Sequence, residues 1–79
     1  MVGREQIEQG IIAALMASPE GLYGVPIMEH LEKLGYTLSI ARLYWILAGM
    51  ENKGLVHCWW EAGGVERGFR RKRMYQLIK

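Results

Sequence analysis

Three amphipathic stretches, followed by two strand-like stretches around a basic, glycine-rich turn, predict an α+β fold of the winged helix-turn-helix type. Two observations carry the prediction. The first is the element order: helix, helix, short strand, helix, strand, turn, strand. The second is charge placement. Residues 1–66 contain four Lys/Arg (Arg4, Lys33, Arg42, Lys53) and all eight Glu, whereas residues 67–79 contain six Lys/Arg and no acid. An acidic body with a basic end points to a polyanionic partner. In this architecture the third helix enters a DNA groove and the hairpin touches the adjoining backbone.

The totals narrow the class. The 79 residues suit one domain, 1–79, and 51% hydrophobic content argues against disorder. No apolar run approaches the roughly 20 residues of a membrane span, so no membrane partner is expected. The opening MVGREQIEQG is interrupted by polar residues and does not read as a signal peptide. The single cysteine, Cys58, has no internal disulfide partner, which suits a cytoplasmic protein. The sequence contains no Asp, so a catalytic triad with Asp is excluded and no enzyme is expected. No cofactor is expected either.

The first helix spans Arg4 to Ala17. Ile7, Ile11 and Leu15 form one row, and Ile12 with Met16 are expected to widen it into a core face. Glu5 and Glu8, near the positive N-terminal pole, are expected to be solvated. Ser18-Pro19-Glu20-Gly21 is a turn. Pro26 suits the first turn of a second helix, which runs to about Leu34 with Ile27, Leu31 and Leu34 inward. Gly35 ends it. His30 has no second metal ligand at i±4 and reads as structural or exposed. Tyr36-Thr37-Leu38 is β-prone and is expected to pair at a sheet edge.

The third helix is the centre of the chain. Ser39 can cap its start, and Gly54 can adopt the left-handed conformation that ends it. Ile40, Leu43, Ile46, Leu47 and Met50 fall on one side at helical spacing. Ala41, Arg42, Trp45, Ala48, Gly49 and Asn52 form a flat opposite face. A B-DNA major groove, about 12 Å wide, admits such a helix. Arg42 can reach guanine bidentately or clamp a phosphate. Tyr44 either meets a phosphate or packs at the core edge. Trp45 is costly to leave in water and should meet DNA, the hairpin or another subunit.

Leu55 to Glu61 alternates as a strand, with Val56, Cys58 and Trp60 on one face and Leu55, His57 and Trp59 on the other. Trp60, Tyr75 and Leu77 are expected in the core, and Trp59 outside it. His57 and Cys58 point to opposite faces, which argues against a Cys–His pair and against zinc. Ala62 to Gly68 is a turn region, and Phe69 to Ile78 is the returning strand. Arg67, Arg70, Arg71, Lys72 and Arg73 crowd the tip and the strand start.

These residues resemble a known family. LYG at 22–24 with Ile27, S-x-x-x-LY-x-x-L at 39–47, MENKGLV at 50–56 and GG-x-x-RG-x-RRKRMYQL at 63–77 are similar to the pattern of the PadR family of bacterial transcriptional regulators. Trp60 falls where that family often has a tryptophan. Val25 stands in place of an aromatic, Ala41-Arg42 in place of Gly-Thr, and Met74 in place of a tyrosine. The resemblance implies a DNA-binding regulator. Members of that family continue into C-terminal helices that build a dimer and, in some, a pore for aromatic ligands. Residues 1–79 supply no such helices after the hairpin, so a weak homodimer is expected through Ile7, Ile11 and the neighbouring face or through Trp59. A small-molecule effector is left open.

The reading is sequence-specific binding of double-stranded DNA by a transcriptional repressor. The recognition helix, 39–53, uses Ser39, Ala41, Arg42, Tyr44 and Trp45 in the major groove. The basic wing, 62–73, places Arg67, Arg70, Arg71, Lys72 and Arg73 on phosphates. The alternative is a protein–protein interaction module that uses a Trp45/Trp59 surface. Binding of double-stranded RNA by charge is a third reading.

Overall fold

The computed structural model describes residues 3–61 and 72–78. Helices α1 (Arg4–Met16), α2 (Gly24–Lys33) and α3 (Ile40–Asn52) precede strands β1 (Val56–Glu61) and β2 (Lys72–Leu77). The strands pair antiparallel in a register running from Val56↔Leu77 to Glu61↔Lys72. Three helices with a two-stranded antiparallel hairpin constitute a winged helix.

Three helix boundaries have a clear local cause. The Gly3 N–H donates to Gln6 Oε1 at 3.1 Å at the start of α1, half of a capping box. Ser39 Oγ accepts the Arg42 N–H at 3.1 Å, so α3 starts where the cap was expected. Gly54, at φ +78°, stops α3. The Gly54 N–H donates to the Glu51 carbonyl and the Leu55 N–H to the Met50 carbonyl, both at 3.0 Å. This Schellman pairing satisfies carbonyls that the helix leaves orphaned.

One core joins the elements: Ile7, Ile11 and Leu15 from α1, Ile27 and Leu31 from α2, Leu43, Ile46, Leu47 and Met50 from α3, with Val56 and Tyr75. Fully burying each such side chain is worth about 1.5–3 kcal/mol.

Several inward expectations are corrected. Met16 is 69% exposed, because Ala14 takes the inward row and α1 turns its small residues, Gly10 among them, toward Leu31 of α2. Leu34 is exposed because it caps α2, where the chain reverses at Gly35 and Tyr36 packs on the core instead. Ile40 is exposed at the first position of α3, and Leu38 packs inward in its place. Trp60 is 57% exposed: it pairs with Arg73 near the outer end of the sheet, beyond the core. Tyr75 is buried as expected, and Leu77 is partly buried.

Tyr36–Leu38 forms no strand. The sheet's third rung comes from Leu22, which exchanges backbone hydrogen bonds of 2.9 and 2.8 Å with Tyr75. The turn after α1 delivers Leu22 to the free edge of β2 and pairs that edge at Tyr75. Glu8, expected in water, is 7% exposed and lies between Arg4 Nε and Lys53 Nζ, each 3.1 Å from its Oε2. Burial of a carboxylate requires such partners. Ile7 and Ile11 belong to the core, so they offer no pairing face to a second copy.

Candidate nucleic-acid interface

Helix α3 buries Leu43, Ile46, Leu47 and Met50 completely. At 100° per residue, the direction opposite these four carries Ala41, Trp45, Ala48 and Asn52. All four are exposed. The apolar rows of the sequence therefore decide which side of α3 faces outward, and that side is flat apart from Trp45, which is 65% exposed.

Ser39, Ala41 and Arg42 cluster at the exposed N-terminal turn of α3. The Arg42 side chain makes no hydrogen bond or ion pair among the described residues. Tyr44 lies on the flank toward the sheet, 38% exposed, its ring 6.4 Å from that of Tyr75. Its hydroxyl sits over Gly24, where a Cβ would be only 2.5 Å away. The LYG and LY motifs thus meet in space: Leu22 holds the sheet edge, Tyr23 precedes α2, and Gly24 leaves room for Tyr44.

Lys72 is exposed and places its ammonium 4.5 Å above the Tyr23 ring, a cation–π arrangement that keeps the charge at the surface. Arg73 points to the α3 side of the sheet. Its Nη2 lies 3.0 Å from Cys58 Sγ and 3.6 Å from Glu51 Oε1, and its guanidinium rests 5.4 Å from the Trp60 ring. The fold already engages this arginine. Arg67, Arg70 and Arg71 lie outside the described residues.

Cys58 completes this cluster by donating to Glu51 Oε2 at 3.0 Å. Burial, followed by the hydrogen bond to Glu51, pushes its thiol above the usual cysteine value, while Arg73 pulls the other way. On the opposite face His57 Nε2 is 2.7 Å from Gln76 Oε1, and His57 stacks on Trp59. No group of three or more His, Cys, Asp or Glu is arranged to hold a metal ion among the described residues. Trp59 is half-buried over Gly21, on the sheet face turned away from α3, so it shares no face with Trp45.

One participant escaped the sequence reading. Arg4, on α1, lays its guanidinium 4.7 Å from the centre of the Trp45 ring. The i,i+4 spacing to Glu8 signals the ion pair, but the reach to Trp45 depends on how α1 crosses α3. Among the described residues, no helix is long and apolar enough to cross a membrane.

Similarity to known proteins identifies the family and the fold. A family model described as the transcriptional regulator PadR-like family matches residues 11–78. Among solved structures, Pex from Synechococcus sp. strain PCC 7942 is similar, with a TM-score of 0.77 and 30% identity over 99% of this chain and 68% of that one. No curated protein sequence matches the chain.

Proposed function

Since this chain belongs to the PadR-like family of transcriptional regulators, we propose that residues 1–79 act as one winged-helix domain that recognises a specific duplex sequence and represses transcription there. The observation that carries the reading is the outer face of α3. It is exposed and flat apart from Trp45, and Arg42 stands at its edge, in a capped N-terminal turn, without an internal partner among the described residues. In this reading Ser39, Ala41, Arg42, Tyr44 and Trp45 face the major groove, and Arg42 reads a base edge. Lys72, together with Arg67, Arg70 and Arg71, holds phosphates. Arg73 serves the same surface from its base, tied to Glu51. A weak homodimer fits the family, with half-buried Trp59 as one candidate contact and the exposed apolar groups Met16, on α1, and Ile78, at the sheet end, as others.

The test is selection from random duplex DNA at physiological salt, followed by isotherms at several salt concentrations. Two-fold symmetric selected sites would report the dimer. Arg42→Ala should lose about 1–3 kcal/mol of discrimination between the selected and a scrambled site. Lys72→Ala or Arg70→Ala should weaken both duplexes equally and flatten the log–log salt slope by about one. Failure to select any sequence would sink the specific-binding reading and leave charge-driven binding or a protein partner.

A further inference from the structure

Resting on the reading above, we propose that Arg4 is a further DNA-contacting arginine, held on the Trp45 ring so that it meets a phosphate on the groove rim opposite the wing. Arg4 opens α1, far in sequence from the recognition helix. Three contacts bring it there and fix it. Its Nε donates to Glu8 at 3.1 Å. Its guanidinium carbon lies 4.7 Å from the centre of the Trp45 ring. Its Nη2 crosses the bare backbone of Gly49, in space that any side chain at 49 would fill.

The arrangement leaves the Nη donors without an acceptor among the described residues, and the side chain remains 36% exposed. An arginine already stacked and tied at Nε loses little rotamer freedom when its outer donors bind an oxyanion. The local charge also favours an anion: Glu8 is the one carboxylate between two cations, Arg4 and Lys53, so the trio carries net positive charge. Position matters most. The Glu51 and Tyr44 flank of α3 adjoins the sheet, whereas Gly49 and Trp45 turn toward α1. A helix in a major groove has a phosphate backbone along each flank. Arg73 lies on the sheet flank beside Glu51, and Arg4 is positioned to serve the other flank.

Salt-dependent isotherms on a selected duplex and a scrambled one test this. Arg4→Ala should weaken both duplexes equally, by about three- to tenfold at low salt, and flatten the log–log slope by about one. Gly49→Ala should reproduce that loss by displacing the guanidinium, the far end of a flexible side chain, and should lower Tm no more than Arg4→Ala does. The double variant should bind no more weakly than either single one. Unchanged affinity and slope for Arg4→Ala, while Arg42→Ala and Lys72→Ala lose binding, would overturn this inference alone. So would a loss of affinity at unchanged slope, the mark of a merely structural prop for Trp45. If Arg4→Ala fails to fold, Gly49→Ala decides the matter by the same criteria. Absence of duplex binding by the wild type would overturn both this inference and the proposed function.

Discussion

At the residue scale, the contact between Gly24 and Tyr44 links the start of α2 to the recognition helix. A methyl at 24 would sit 2.5 Å from the phenolic oxygen and 2.9 Å from the carbon bearing it, so the tyrosine ring must leave its place beside Tyr75. Gly24→Ala would otherwise favour helix formation, and a helix-propensity argument alone expects stabilisation. Overpacking of this kind costs about 1–3 kcal/mol. The expected outcome is net destabilisation, measured as a lower urea midpoint. Pairing it with Tyr44→Ala should recover much of the loss, because the clash then has no partner. A midpoint at or above that of the wild type in Gly24→Ala would show that the ring relocates freely.

At the element scale, β2 is fastened to α3 by the Glu51–Arg73–Cys58 cluster. The ion pair is part-exposed, so its worth to global stability is small, about 0–1 kcal/mol. Its importance lies in orienting the base of the wing. Two arguments give opposite signs for Glu51→Gln. By charge alone, removing an acid near a polyanion site strengthens DNA binding. By orientation, it weakens binding, because Arg73 loses the group that holds the strand against the helix. The expected outcome is weaker binding with an unchanged salt slope, read from isotherms over a salt series. Tighter binding would show that the cluster positions nothing. The same variant should speed alkylation of Cys58, since Glu51 is among the groups holding its thiol pKa up and Arg73, which lowers it, remains.

At the scale of the whole molecule, two acids in or near the core make stability fall at alkaline pH. Burial raises the pKa of Tyr75, whose side chain lies in the core, and burial also leads the causes that raise Cys58. Both groups are neutral when protonated. With folded pKa values above the unfolded ones, the unfolded chain gives up its protons first as pH rises. The contribution of these two groups is therefore fully present below about pH 8.5, the unfolded cysteine value, and is lost progressively above it and again above about pH 10, the tyrosine value. Urea midpoints measured from pH 7 to 11 should fall in that order. Tyr75→Phe should remove the later part of the decline, and Cys58→Ala the earlier part. A flat profile across this range would contradict the burial of both groups.

What the sequence determined by itself is local or periodic in origin. The Ser39 cap, the Gly35 and Gly54 stops, the rows Ile7–Ile11–Leu15 and Leu43–Ile46–Leu47–Met50, and the alternation of β1 each depend on residues a few positions apart. Caps and side-chain periods act at that range. The outward face of α3 was legible for the same reason: a buried row fixes the direction of its opposite. Only the tertiary structure decided the rest. Met16, Leu34 and Ile40 have apolar side chains at helical spacing, yet they fall at helix ends, where the packing partner stops before the helix does. The third rung of the sheet comes from Leu22 rather than Tyr36–Leu38, because its place depends on where the turn after α1 meets β2. In the sequence Glu8 reads as a solvated charge and Arg73 as a phosphate contact. In the fold each meets a partner more than twenty residues away, Lys53 for Glu8 and Glu51 for Arg73, and a distant partner leaves no periodic trace. Arg4 reaches Trp45 for the same reason: the crossing of α1 over α3, set by the shapes of the whole core, puts a charge from the first helix onto the face of the third.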